Sequence, residues 1–172
     1  VRRWMVGLFE RYLFRRIYER RKAALAPPGK RWSPPEGVQG FDTLWRVAAF
    51  LESALDEEEA GGLWDVPRPP EWTLKRRSGN ASDVACLAQA LLGASGKEGL
   101  LLTVYDGAFR TKHVVCAVPE DGVWHHISLQ GMFGVYGDLA EIADDLAAGW
   151  GLYVARDTAM QIVAWQRPKA GA

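Results

Sequence analysis

The stretch "RRSGNASDVACLAQALL", Arg76 to Leu92, decides the fold. A small polar turn, Ser78-Gly79-Asn80, runs into Val84, Leu87, Ala88 and Leu91 or Leu92 at helical spacing. The pattern predicts a helix from about Asn80 to about Gly93, with Asn80 or Ser82 as its N-cap. Downstream the character changes. "GLLLTVYDG" (99–107), "KHVVCAV" (112–118) and "GVWHHIS" (122–128) are short β-branched or aromatic runs, and "PEDG" between the last two signals a hairpin turn. A helix from about Asp138 to Ala148 intervenes before two further strands, "GLYVAR" and "MQIVAWQ". Helices first and antiparallel strands later predict an α+β domain with the central helix packed on the sheet.

Upstream, Asp42 is a plausible N-cap for a helix through "TLWRVAAFLESALDEEEA", closed by Gly61-Gly62. The Pro-rich "WDVPRPPEWTLKRR" then leads into the opening stretch. The first segment, "VRRWMVGLFERYLFRRIYERRK", has no proline. Met5, Leu8, Phe9, Tyr12, Leu13 and Ile17 form an apolar arc on a helical wheel, broken by Arg16. The chain therefore divides into a basic N-terminal helix (1–24), a Pro-rich linker (25–39) and a main domain (40–172).

At 172 residues the chain has room for one well-buried core, and 48% apolar residues exclude a disordered chain. Lys plus Arg equals Asp plus Glu, 21 each, so the overall balance gives no reason to expect a nucleic-acid partner. The distribution is uneven: residues 1–22 hold eight basic and two acidic side chains, a net of +6 that leaves −6 for the rest. Basic residues around a Trp/Phe/Leu face suit peripheral contact with an anionic membrane, although most such helices pack on their own domain or on a partner. Two cysteines supply neither a disulfide framework nor a structural zinc site, the histidines are not spaced for metal, and no cofactor is expected. No apolar run approaches the roughly 20 residues of a membrane span, and the N-terminal segment lacks the uncharged core of a signal peptide. Cytoplasmic residence is the expectation.

Thiol hydrolysis needs a nucleophile at a helix N-terminus beside an imidazole, and a third group to orient that imidazole. The blocks "WTLKRRSGNASDVA", "KHVVCAV" and "DGVWHHIS" together resemble the transglutaminase-like superfamily of papain-like cysteine hydrolases, over roughly Glu71 to Gly131. The resemblance implies a papain-like fold. Of the family's first block, Gly79, Asp83 and Ala85 match, while Ala81 stands where the catalytic Cys belongs. His113 falls on the catalytic His, and the orienting Asp or Asn falls on Ser128 or Leu129. One of three catalytic positions is intact, so the resemblance implies a domain inactive as written, binding a peptide, amide or protein ligand. With Cys at that first position it would be a peptidase or acyltransferase working through a thioester, with His113 as general base. Both a natural pseudoenzyme and a deliberately silenced nucleophile fit, and the lapsed third position favours natural loss.

No neighbouring group replaces the missing sulfur. Cys86 lies five residues along the helix, turned by roughly 140° and about 7.5 Å away, and reads as a buried structural thiol. Cys116, three past His113, faces the other side of its strand. Ser78 and Ser82 read as capping residues, Asp83 as a stabiliser of the helix N-terminus, and Trp72 and Trp124 as packing. His125 and His126 alternate, so only one shares a face with the site. The alternative reading is a structural or interaction module that docks on a partner or membrane surface through the basic N-terminal helix.

Overall fold

Alternating β-branched and aromatic residues from Leu100 to Gln166 build a six-stranded sheet, all of it antiparallel, in the order β6-β5-β4-β3-β7-β8. Its strands are β3 (Leu100–Asp106), β4 (Lys112–Glu120), β5 (Val123–Ser128), β6 (Gly131–Tyr136), β7 (Trp150–Arg156) and β8 (Ile162–Gln166). The computed structural model describes residues 2–25, 33–34, 40–59, 65–110 and 112–168. Within them the N-terminal half supplies α1 (Arg2–Leu8), a π-helical turn (Phe9–Leu13), α2 (Phe14–Leu25) and α3 (Leu44–Ala54). A two-residue parallel bridge pairs β1 (Asp56–Glu57) with β2 (Ser78–Gly79) across α4 (Pro70–Arg76), and α5 (Ala81–Ala94) follows. α6 (Leu139–Leu146) comes between β6 and β7. The fold is α+β, helices packed on an antiparallel sheet, as the order of patterns predicts.

The two-residue alternation sorts side chains to two cores. Leu101, Val114, Cys116, Val118 and Ile127 meet the apolar side of α5, together with residues of α2 and α3. Leu102, Val104, Val115, Ala117 and Tyr153 meet α6 on the opposite face. Helix α5 is central for the reason its sequence gives: Val84, Leu87, Ala88, Leu91 and Leu92 are all buried. Each large aliphatic side chain so buried contributes roughly 1.5–3 kcal/mol. The "PEDG" hairpin forms as predicted, with Asp121 and Gly122 both at positive φ, the geometry that matches the twist of the flanking strands.

Local details depart from expectation where a nearby contact overrides propensity. Thr43, not Asp42, caps α3, because its hydroxyl accepts from the Arg46 amide; Asp42 instead pairs with the Arg46 guanidinium at 2.9 Å. That helix stops at Ala54, since Asp56 and Glu57 are drawn into pairing with Ser78 and Gly79. The expected stop at Gly61-Gly62 lies outside the described residues, as does most of the linker over 25–39. Pro70 opens a helix inside the Pro-rich stretch, where its fixed φ suits the first turn. Strand β6 has no counterpart in the sequence pattern.

The N-terminal helix buries a different stripe from the one its wheel suggests. Val6, Phe9, Glu10, Phe14 and Tyr18 are covered, while Met5, Leu8, Tyr12 and Leu13 are exposed. The cause is the π-helical turn, in which the Phe14 amide donates to the Phe9 carbonyl. One extra residue in that turn carries Phe14 inward in place of Leu13. The turn also delivers Glu10 to Arg156 on β7. Their side chains pair at 2.6 Å with both groups 1% exposed, and Arg156 donates to the Glu10 carbonyl as well. Tyr105 donates its hydroxyl to Glu10, and the Arg156 guanidinium lies over the Phe14 ring at 3.9 Å.

Removing one partner of such a pair leaves the other buried without a counter-charge. Glu10→Ala is expected to lower the unfolding free energy in urea by about 3–5 kcal/mol. Tyr105→Phe keeps the ion pair and should cost about 1 kcal/mol. Equal effects from the two would show that the pair does not anchor the helix.

Candidate functional site

The N-terminus of α5 is fixed by its own sequence. Asn80 is extended, its side chain accepts from the Asp83 amide, and the Asp83 carboxylate accepts from the Asn80 amide, a complete capping box. Asp83 has no exposure and also takes hydrogen bonds from the Arg68 amide and guanidinium. Arg68 reaches on to Glu58 at 2.6 Å and stacks on Trp72, its guanidinium 3.8 Å from the ring centroid. Glu58 accepts from Ser78, and that hydrogen bond with the Arg68 contact holds its carboxyl below the usual range. Gly79 is required by contact: a Cβ there would lie 2.9 Å from the Asp83 Cβ and 3.1 Å from Thr73. Asp83 and Trp72 thus have the structural roles that the sequence suggests, while Ser78, expected as a capping residue, donates to Glu58 and leaves the cap of α5 to Asn80.

What this network presents is Ala81, the first residue of α5, exposed in a cleft of about 410 Å³. His113 and Ser128 line the same cleft, as does Leu129. The three sequence-derived positions therefore share one cavity. They do not share one face of the sheet. His113 pairs with Val104 and alternates with Val115 and Ala117, on the side covered by α6; Ala81 begins the helix that covers the other side. The cleft joins them by reaching both faces of β4, since Val114 lines it together with Val115, and by passing the end of β5, where Ser128 and Leu129 line it.

The side chains have separate partners. The Ser128 hydroxyl donates to Gln130 Oε1 at 2.9 Å and accepts from the Gln130 amide. His113 is exposed and makes no hydrogen bond or ion pair among the described residues. Cys86 and Cys116 are fully buried on the α5 side, as alternation and helical rotation predict. Burial pushes the Cys86 thiol up to about 12 and the Cys116 thiol further in the same direction, so neither supplies thiolate.

Three further lining residues, Glu57, Lys112 and Asp145, are not singled out by the sequence, and a fourth, His126, is one of the two strand histidines between which alternation alone could not choose. Of the two strand histidines, it is His126 that faces the cleft, on the side of His113 and Ser128. It is 4% exposed and stacks on Phe133 and Tyr136, with centroids 5.2 and 5.7 Å away. Its Nδ1 is buried without a hydrogen-bond partner among the described residues. Asp145 accepts from the Tyr136 hydroxyl at 2.7 Å. Burial lowers the Lys112 ammonium, which donates to the Asp65 carbonyl. The strand register was the signal that could have selected His126; Glu57, Lys112 and Asp145 come from separate elements and leave none. Among the described residues no group of three or more His, Cys, Asp or Glu is placed to hold a metal ion.

No protein-family model and no curated protein matches the chain. Among solved structures it is similar to a Cytophaga hutchinsonii protein described as a "Putative Cysteine Protease", at 14% identity and a TM-score of 0.42. The match covers 90% of this chain and 52% of that one, so the chain spans about half the length of the structure it resembles. No helix among the described residues is long and apolar enough to cross a membrane.

The cleft carries its own pH dependence. Burial holds His126 below its ordinary value of 6.5, against a smaller opposing pull from Asp145. The folded ring is then neutral where the unfolded one takes a proton, so its contribution is complete above 6.5 and lost as pH falls from there through the folded value. Stability should fall on acidification below about 6.5, and His126→Phe, which keeps a stacked ring, should flatten that part of the profile by up to about 1.4 kcal/mol per pH unit. Identical slopes in the two proteins would rule the contribution out.

Proposed function

We propose that the chain is a transglutaminase-like thiol-hydrolase domain that has lost its nucleophile and keeps its cleft for a peptide or amide ligand. One observation carries the reading. Ala81 stands at the first turn of a fully capped helix and faces a cavity that His113 and Ser128 also line. A helix start concentrates unsatisfied N–H groups and a positive dipole end, the environment that lowers the pKa of a thiol and favours an oxyanion. A methyl group there cannot attack a carbonyl, and the cleft is left with hydrogen-bonding chemistry: His113 and His126 from the strands, Asp145 from α6, and the apolar floor of Val84 and Val114.

With sulfur restored in place of the Ala81 methyl, the family reaction would run from a thiolate at the helix start to a thioester with release of an amine, His113 taking and returning the proton. Two features favour loss by drift over a silenced enzyme. His113 stands on the sheet face away from α5, and Ser128 is engaged by Gln130, so the general base has no orienting partner. The binding role does not need that partner.

The test is the pH dependence of iodoacetamide alkylation of Ala81→Cys, with the same substitution in a His113→Ala background. A thiol titrating close to the free-cysteine value of about 8.5, and indifferent to His113, is expected for a drifted binding site. A thiolate formed well below that value and lost with His113→Ala would reveal an intact dyad and overturn drift in favour of a silenced enzyme. Slow alkylation at every pH would place residue 81 out of the cleft and end both versions.

A further inference from the structure

The N-terminal helix has apolar residues on two sides, and its own domain covers only one. Val6, Phe9, Phe14 and Tyr18 face the body. On the opposite side Trp4 is 69% and Tyr12 67% exposed, with Met5, Leu8 and Leu13 beside them. Two residues of the edge strand β8, Ile162 and Trp165, extend this surface. Trp4, Leu8, Ile162 and Trp165 line a groove of about 200 Å³ between helix and strand, floored by Leu152 and Val154. A globular helix with an outward stripe of this kind exposes apolar area that water penalises, unless something else covers it.

The charge around the stripe identifies the cover. Glu10, one of the two acids in residues 1–22, lies in the groove lining but is 3% exposed and neutralised by its pair with Arg156. Glu19 is the one exposed acid left on the helix, among a surplus of arginines and Lys22. Arg3, Arg11 and Arg167 rim the groove itself, and Arg11 and Arg167 lie over the Trp165 ring at 4.3 and 5.6 Å. Cationic rim, exposed Trp and Tyr, and an aliphatic floor match the interfacial zone of a bilayer, where indole and phenol rings sit at the headgroup level and arginines meet phosphates. A nucleic acid would use the arginines and rings but has no use for Met5, Leu8, Leu13 and Ile162.

We propose that the outward face of residues 2–16, with the β8 groove, docks the protein peripherally on an anionic lipid bilayer. Trp4, Leu8 and Tyr12 enter the headgroup boundary, the groove takes up apolar lipid surface, and the arginines set the preference for negative headgroups. The buried Glu10–Arg156 pair fixes the roll of the helix, so that this face points away from the domain. This inference is independent of the cleft, and either can fail alone.

The experiment is cosedimentation of the full chain with phosphatidylcholine vesicles, with and without phosphatidylserine, for the native protein and the triple variant Trp4→Ser/Leu8→Ser/Tyr12→Ser. All three sites are exposed, and an unchanged thermal midpoint verifies that the variant folds. The native protein is expected on serine-containing vesicles only, and the variant to bind at least about tenfold more weakly. Equal binding by variant and native protein would reduce the contact to charge and overturn the docking. So would equal binding to neutral vesicles, or a concentration-dependent dimer of the native protein that the variant abolishes, which would assign the face to a second copy.

Discussion

Asp83 is the residue on which the cleft depends. A carboxylate with no access to water is stable only if its oxygens are satisfied, and here every donor comes from an element that shapes the site: the Asn80 amide at the start of α5, the Arg68 amide before α4, and the Arg68 guanidinium. Through Arg68 the same network reaches Glu58 and the face of Trp72. Charge-assisted hydrogen bonds of this kind are roughly twice as strong as neutral ones, and their directions are fixed. The start of α5, the β1–β2 bridge and α4 are consequently set by one group. The position that presents residue 81 is held by groups other than its own side chain.

That division also explains what could be read from the sequence. Asn80, Asp83 and the buried stripe of α5 are local: a capping box joins residues three apart, and the stripe repeats every turn, so both are written in one short stretch. Five of the six strands of the main sheet and the "PEDG" turn are legible for the same reason, and β6, rich in glycine, is not. Ala81, His113 and Ser128 could be gathered by resemblance, and they do line one cavity. Their facing could not be read, because it depends on the register that pairs Val104 with His113 and Ala117 with His126. His126 became visible as a cleft residue only once that register was known. The pairing of Asp56 and Glu57 with Ser78 and Gly79 was equally hidden, since it joins segments far apart in the chain and overrides a helical pattern that runs straight through them.

The N-terminal segment shows how a single backbone irregularity redirects a whole face. With uniform α-helical spacing, Leu13 would have turned inward with Phe9. The π-helical turn moves Phe14 there and leaves Leu13 out. The cost of the irregular turn is offset by what it brings inward, an aromatic that packs edge-on against Phe9 at 5.9 Å and a carboxylate that reaches β7. The same shift is what separates the helix's apolar residues into an inner and an outer set.

The contact between Glu10 and Arg156 has a temporal meaning as well as a spatial one. The two residues are 146 positions apart, and Arg156 belongs to the second-last strand of the sheet in chain order. A contact of such sequence separation has a large loop-closure entropy and forms late. On the ribosome the helix is made long before β7 leaves the exit tunnel, so Glu10 waits for its partner while Phe9, Phe14 and Tyr18 can already meet α3 and α5. The ion pair that sets the roll of the helix is thus among the last contacts to form, and the arrival of β7 is the event that completes it.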